Sequence, residues 1–262
     1  MQNKLIKRDG QNATKIFDSR TLEKDYKTLA PLLKSGMSIL DVGCGTGAIT
    51  KDIGKVIGVN GKITGIDNTE KFIVSGKEKY SDVQNMELIH VDFFEFHPSE
   101  KFDLIVSART MQWLSKVGEA LMKIKTLLKP NGIISILDYN HTKIHWDPSP
   151  PESMLTFYNL FLKWRADAGM NNEMADDLPD LLNQAGFQDI IKINSDEHYS
   201  KGSKDFESNI GIWSKVAGSK QMVEEGYLSD ALRLQAISEY NHWIKHEARS
   251  MTMKLNEVRG RA

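Results

Sequence analysis

From Ser38 to Asp138, short unbroken apolar runs alternate with segments whose apolar residues recur every three or four positions. Ile39-Leu40-Asp41-Val42, Lys62–Ile66, Met86–Val91, Phe102–Val106 and Ile133–Leu137 read as strands, the first and the fourth of the buried parallel type. Between them, helical spacing runs from Ala48 to Val56, through Phe72, Ile73, Val74 and Tyr80 behind the caps Asn68 and Thr69, and from Val117 to Leu128. Lys129-Pro130-Asn131-Gly132 reads as a stop and turn. Five strands alternating with helices predict an α/β fold, a doubly wound parallel sheet with right-handed crossovers.

The flanks have a different pattern. Ile16, Leu22, Tyr26, Leu29 and Leu33 predict a leading helix from about Thr14 to Leu33, with Pro31 near its end. After the fifth strand, Asp147-Pro148-Ser149-Pro150-Pro151 is a proline stop, and Met154 to Trp164 forms an aromatic amphipathic helix. A helix is expected over Asp177–Ala185 with a stop at Gly186, then a sixth strand over Phe187–Ile193. Helical pattern resumes from Asp205 to about His246, broken around Gly218 and Gly226. Met251, Met253 and Leu255 alternate with polar residues, which places a last strand between Ala248 and Arg259. The chain therefore divides into an N-terminal helical segment (1–36), a binding core (37–140), and helical insertions with the last strands of the same sheet (141–262).

Composition narrows the function. A chain of 262 residues with 40% hydrophobic and 26% charged content suits one globular domain with insertions, or a core plus a small lid. A net charge of −1 gives no electrostatic reason to expect nucleic acid or an anionic membrane. One cysteine, Cys44, leaves no intramolecular disulfide and no Cys-rich zinc site; it reads as a packing residue, with a reactive thiol as the alternative. With neither an apolar leader nor a run of membrane-spanning length, a cytoplasmic protein without membrane insertion is expected.

The chemistry concentrates where the first strand ends, in Asp41-Val42-Gly43-Cys44-Gly45-Thr46-Gly47. Glycines at a strand's carboxyl end let a ligand approach the main chain, and open α/β sheets bind nucleotides there. The spacing G-x-G-x-G is not the G-x-G-x-x-G of a dinucleotide fold, and no Gly-Lys-Ser/Thr of a phosphate loop follows. Asp41 would repel a pyrophosphate but can orient an ammonium group or a water. Asp67 ends the second strand, where a carboxylate can accept both hydroxyls of a ribose, with Asn68 beside it. Asp92 ends the third, suited to accept from an exocyclic amine, with Phe93 offering an apolar face. Ser107 and Ala108, small residues before Arg109, end the fourth. Trp113 either packs on the sheet or lines the same pocket.

This ordered set resembles the class I S-adenosylmethionine-dependent methyltransferases, over about Met37 to Asp138. The Asp-Leu-Ile-Val-Ser…Met-Gln-Trp-Leu stretch and the helical C-terminal insertion are most similar to small-molecule enzymes of the ubiquinone/menaquinone-biosynthesis and trans-aconitate types. The resemblance implies a seven-strand, mostly parallel Rossmann-like sheet with a last antiparallel strand and helical lid insertions. It also implies S-adenosyl-L-methionine as cofactor and S-adenosyl-L-homocysteine as product. Cofactor contacts then fall to Asp41, Gly43, Cys44, Gly45, Gly47, Asp67, Asn68, Asp92, Phe93, Ser107 and Ala108. The expected reaction moves a methyl group to O, C or N of a small-molecule acceptor, in a monomer or homodimer.

A sulfonium methyl needs orientation more than activation, so no triad is required; a general base serves only an acceptor with a proton of high pKa. His141, Tyr139 and His145, just past the fifth strand, are the candidates for it, and a solvated loop histidine is the competing reading. His242 and His246 stand four apart but lack the glutamate of an H-E-x-x-H pair and a third ligand, so no metal is expected. The chain has no Asn-Pro-Pro-Tyr after the fourth strand, which disfavours amide or base-amine targets. Three other readings stay open: an RNA or protein methyltransferase, a non-catalytic S-adenosylmethionine-binding protein, and an NAD-dependent oxidoreductase that the glycine spacing disfavours.

Overall fold

The computed structural model describes Ile6 and residues 18–262. Strands β1 (Ser38–Val42), β2 (Lys62–Asp67), β3 (Met86–His90) and β4 (Phe102–Ala108) form the parallel half of one sheet. The spatial order is β3-β2-β1-β4-β5-β8-β6, with β5 (Leu128–Asp147) parallel to β4, and β8 (Ser250–Arg261) and β6 (Gln188–Asn194) beyond it. The chain winds outward from β1 to β3 and then returns to the other side of β1 at β4. A crevice opens at such a reversal, at the carboxyl ends of the strands. Side chains alternate between the faces, with Ile39, Leu104 and Val106 in one core cluster and Leu40, Val42 and Ile105 in the other.

Helices α2 (Ala48–Ile57), α3 (Glu70–Lys79) and α4 (Val117–Leu127) carry the crossovers. Ile49, Ile53 and Ile57, four apart on α2, are buried, each burial worth roughly 2 kcal/mol. Gly76 fits α3 tightly against the glycine turn, since a Cβ there would meet the Thr46 carbonyl oxygen at 2.2 Å.

Three expectations change. The leading helix is interrupted: Asp18 is helical, Ser19–Thr21 are not, α1 then spans Leu22–Asp25, Tyr26 departs from helical geometry, and a 3-10 turn follows over Lys27–Leu32 with Pro31 inside it. Its predicted start at Thr14 lies outside the described residues. Tyr26 instead anchors the segment to the sheet, in a buried chain from its hydroxyl through Ser135 Oγ (2.8 Å) to Glu257 (2.6 Å). The fifth strand, β5, runs Leu128–Asp147 rather than stopping at Leu137, and the expected turn at Asn131 survives as an irregularity with φ 62°. It continues because β8 (Ser250–Arg261) pairs with it antiparallel almost to its end.

Among the described residues the sheet has eight strands rather than the expected seven, and seven of them lie across it in order. β8 spans 12 residues, long enough to carry two short partners on its outer side. β6 (Gln188–Asn194) pairs with Asn256–Arg261, and β7 (Glu197–Ser200) with Ser250–Met253. At the step between them Asp196 takes the Leu255 amide (3.0 Å) and the Lys254 ammonium (2.9 Å). The predicted 205–246 helical stretch divides into α7 (Phe206–Ile210), α8 (Ile212–Ala217), α9 (Gln221–Glu224) and α10 (Asp230–His246). With α5 (Glu152–Asp167) they cover one face of the sheet, while α6 (Met174–Gln184) joins α4 on the other. Among the described residues no helix is long and apolar enough to cross a membrane.

Candidate active site

At the crevice lies a cavity of about 650 Å³ that runs from the ends of β1–β3, past Ala108 and Arg109, to β5, β7 and α8. Its first end is built by the glycine turn. Gly43, Gly45 and Gly47 all have φ between 58° and 79°, a conformation that a side chain strains. Gly43 has a second constraint, since a Cβ would stand 2.2 Å from Thr110 Oγ1. Gly43 and Cys44 both donate to the Ile66 carbonyl, at 2.8 and 3.0 Å, which pins the turn to β2.

Asp67 is held from both sides: Oδ2 accepts from Gly45 N (3.0 Å) and Oδ1 from Thr69 N (2.9 Å). It is buried on the cavity wall, and an anchored carboxylate oxygen keeps further acceptor capacity for a ligand hydroxyl. Asn68 beside it is exposed on the wall. Asp92 accepts from Phe94 N (2.8 Å) and caps the 3-10 turn Phe93–Glu95, so its carboxylate and the buried Phe93 ring reach the cavity together.

The remaining predicted residues stand back. Asp41 and Cys44 line a side cleft of about 20 Å³ that shares Gly43 and Ala108 with the large cavity. Asp41 accepts from Thr50 Oγ1 (2.6 Å), and burial pushes its carboxyl up to about 6. Burial also raises the Cys44 thiol well above its ordinary range, which favours packing over reactivity. Neither Gly45, Gly47 nor Ser107 is on the wall; Ser107 spends its hydroxyl on the Val42 carbonyl (2.9 Å) and supports the turn from behind.

The second end of the cavity depends on a bulge. The β5–β8 pairing shifts register between Asn140 and His145, and bulges re-aim side chains beside sites. His141 N donates to the Asn172 carbonyl (2.7 Å) and Tyr158 donates to the His141 carbonyl (2.6 Å). So the expected loop histidine is a buried wall residue, and burial, helped by Arg165, pulls its pKa well below the imidazole range. His145 is the correction: it is exposed, pairs with Thr252 in the ladder and does not line the cavity. Tyr139 does line it, and burial pushes its hydroxyl up to about 12.

Sequence reasoning missed the group around Arg109. This residue has φ 59°, a strained backbone for a long side chain, with N donating to the Leu137 carbonyl at 2.6 Å. Its guanidinium meets Glu197 at 2.5 Å, donates to Tyr139 Oη at 2.8 Å and lies 3.9 Å from Asp25. Burial pushes Glu197 up, but Arg109, Tyr199 and Arg20 outweigh it and hold the carboxylate low. Only Ala108-Arg109 at a strand end could have signalled this, because Asp25 and Glu197 are remote in sequence.

The pocket's chemistry fits the cofactor the glycine turn suggested. Asp67, Asn68, Asp92 and Phe93 offer acceptors and a ring face for a nucleoside, and two carboxylates on that wall would repel a pyrophosphate. Among the described residues no group of three or more His, Cys, Asp or Glu could hold a metal.

Comparison with known proteins points the same way. A family model described as a methyltransferase domain matches residues 33–194. A Staphylococcus aureus demethylmenaquinone methyltransferase is 34% identical over 107 residues, 40% of this chain and 44% of that protein. The match thus spans under half of that relative's length. A solved Aquifex aeolicus SAM-dependent methyltransferase has a TM-score of 0.51 and 26% identity, over 67% of this chain and 87% of its own. A Haemonchus contortus phosphoethanolamine N-methyltransferase, solved with S-adenosylhomocysteine, shares the fold at TM-score 0.57 and 16% identity, covering 98% of this chain and 54% of its own.

Proposed function

The chain belongs to the methyltransferase domain family, and we propose that it transfers a methyl group from S-adenosyl-L-methionine to O, C or N of a small-molecule acceptor. The observation that carries this reading is one continuous cavity, with nucleoside-type contacts at the β1–β3 end and an aromatic, hydrogen-bonding chamber at the other. The quinone-type name of the Staphylococcus relative supports a small acceptor. So does the setting of the chamber, which lies between α8, β5 and β7 rather than on an open basic face.

In this reading Asp67 and Asn68 hold the ribose, while Asp92 and Phe93 hold the adenine. Gly43 and Ala108 let the methionine portion pass along the main chain, and Asp41, behind Gly43, orients its ammonium group. When bound, the cofactor supplies a sulfonium methyl, already a strong electrophile. What the protein adds is alignment of the two reactants and exclusion of water. Phe161, Trp213, Tyr139 and His141 form the wall that would do both. His141, kept neutral, and Tyr139 are the groups placed to accept or relay an acceptor proton.

Thermal melting tests the cofactor assignment. S-adenosylhomocysteine at about 100 times its Kd should stabilise the protein by roughly 2.7 kcal/mol and raise Tm by roughly 5–10 °C. NAD⁺ should give no shift, and a shift with NAD⁺ alone would overturn the assignment.

A further inference from the structure

The turn that offers Asp92 and Phe93 to the cavity lies past the end of β3. Its own bonds are local. Phe94 N donates to Asp92 Oδ1 (2.8 Å), Glu95 N to the Asp92 carbonyl (3.0 Å) and Phe96 N to the Phe93 carbonyl (3.2 Å). These bonds shape the turn, but none of them fixes where it sits on the cavity wall. Phe93 and Phe96 are buried in the core on this face, and apolar burial is a force without direction.

A polar tie from another element supplies the direction. Lys123, half-buried on α4, donates from Nζ to the Phe94 carbonyl at 2.6 Å. The same ammonium stands 5.3 Å from the centroid of the Phe93 ring, where the ring's quadrupole attracts a cation. The main chain of Phe94 is therefore held twice, its N–H by Asp92 and its carbonyl by Lys123. Burial lowers the Lys123 ammonium, and the carboxylates of Glu95 and Asp92 oppose that shift, so the charge stands in the field of the acceptor at the cavity. A surface lysine often pairs with an acid four residues away on its own helix. Here Glu119 pairs with Lys116 instead, at 3.2 Å, and Lys123 reaches across to the turn. Lys123 is not itself on the cavity wall.

We propose that Lys123 is a positioning residue for the cofactor: through the Phe94 carbonyl and the Phe93 ring it sets where Asp92 and Phe93 meet the adenine. The proposal rests on the reading of this end as the adenine site. It adds a residue from a different helix that acts without touching the ligand.

The test is titration calorimetry on the full chain with S-adenosylhomocysteine and with S-inosylhomocysteine, which has a carbonyl oxygen in place of the 6-amino group. Asp92→Ala serves as the control for the adenine reading. The unmutated protein should prefer the adenosyl ligand by about tenfold, the worth of one hydrogen bond to a carboxylate, and Asp92→Ala should lose most of that preference. Lys123→Met keeps the length and apolar stem of the side chain and removes its charge. It should weaken S-adenosylhomocysteine by about three- to tenfold and the inosyl ligand by less, narrowing the preference. Lys123→Arg should restore both values.

A merely structural lysine would lower the melting temperature of the ligand-free protein and leave the ratio of the two ligands unchanged. An equal loss for both ligands, no loss in Lys123→Met, or a loss that arginine does not restore would each overturn the proposal while the adenine reading stands. No preference between the ligands in the unmutated protein, or none lost in Asp92→Ala, would overturn that reading and the proposal with it.

Discussion

The two ends of the cavity are made in opposite ways. At the β1–β3 end, every contributing residue sits at or just after a strand terminus, and most of its bonds are to nearby main chain: Asp67 to Gly45 and Thr69, Asp92 to Phe94. At the β5–β7 end, the central bonds join residues far apart in the chain, Arg109 to Glu197 and Asp25, and His141 to Gln112. The first end is a backbone cradle with carboxylates set on it. The second is a buried polar network whose parts hold one another in place, and such networks are costly when one member is lost.

That contrast predicts where substitutions will be felt. The largest effect is expected from Arg109→Met, which removes the guanidinium 2.5 Å from Glu197 and leaves that buried carboxylate to Tyr199 and the more distant Arg20. Breaking a buried pair from one side costs about 3–5 kcal/mol when the remaining charge is left alone, and the partners Glu197 keeps should bring the loss to the lower end, about 3 kcal/mol. Denaturant unfolding would read it, and a loss below about 1 kcal/mol would show that the second end is looser than described.

Next in size is a pH effect at the first end. Burial raises Asp41 from 3.8 to about 6 in the folded protein. Between those values the folded state binds more protons than the unfolded state, so this group's contribution to stability falls as pH rises and levels off above about 6. Asp41→Asn removes that slope and should stabilise the ligand-free protein at pH 7 by about 2–3 kcal/mol, with the gap closing near pH 4. Stability of the variant and the unmutated protein, followed across pH 4–7, checks the sign. The smallest effect concerns Cys44, where burial holds the thiol protonated; Ellman's reagent should react slowly with the folded protein and quickly in denaturant.

The same contrast explains what could be read without coordinates. A central parallel strand, buried on both faces, prints a largely apolar run, so β1, β2 and β4 were legible with the terminal residues Asp67 and Ala108; β3 is a half-exposed edge strand, and Asp92 stands two residues past its end. Antiparallel pairing leaves no such mark. β5 keeps going through Asn140-His141-Thr142-Lys143 because β8 runs alongside it, and nothing local in that polar stretch announces a strand. The short β7 exists because β8 is longer than β6, which put Glu197 and Tyr199 on the cavity unforeseen. His145 was misplaced for a related reason. The bulge between Asn140 and His145 brings His141 into the wall and leaves His145 in the exposed ladder, and a register shift cannot be seen from one strand. The leading helix breaks at Ser19–Thr21 and again at Tyr26, whose side chain is drawn into the buried Ser135–Glu257 pair instead of extending the helical stripe.

The central claim is that Asp67, clamped between Gly45 and Thr69, holds a nucleoside at the end of β2. Titration calorimetry of S-adenosylhomocysteine into the unmutated protein and into Asp67→Asn and Asp67→Ala tests it most directly. The account predicts one site per chain, with affinity falling by roughly 2 kcal/mol, about thirtyfold, in Asp67→Ala and less in Asp67→Asn, which keeps one acceptor oxygen. Equal affinity in all three proteins, at unchanged folded content by circular dichroism, would contradict it.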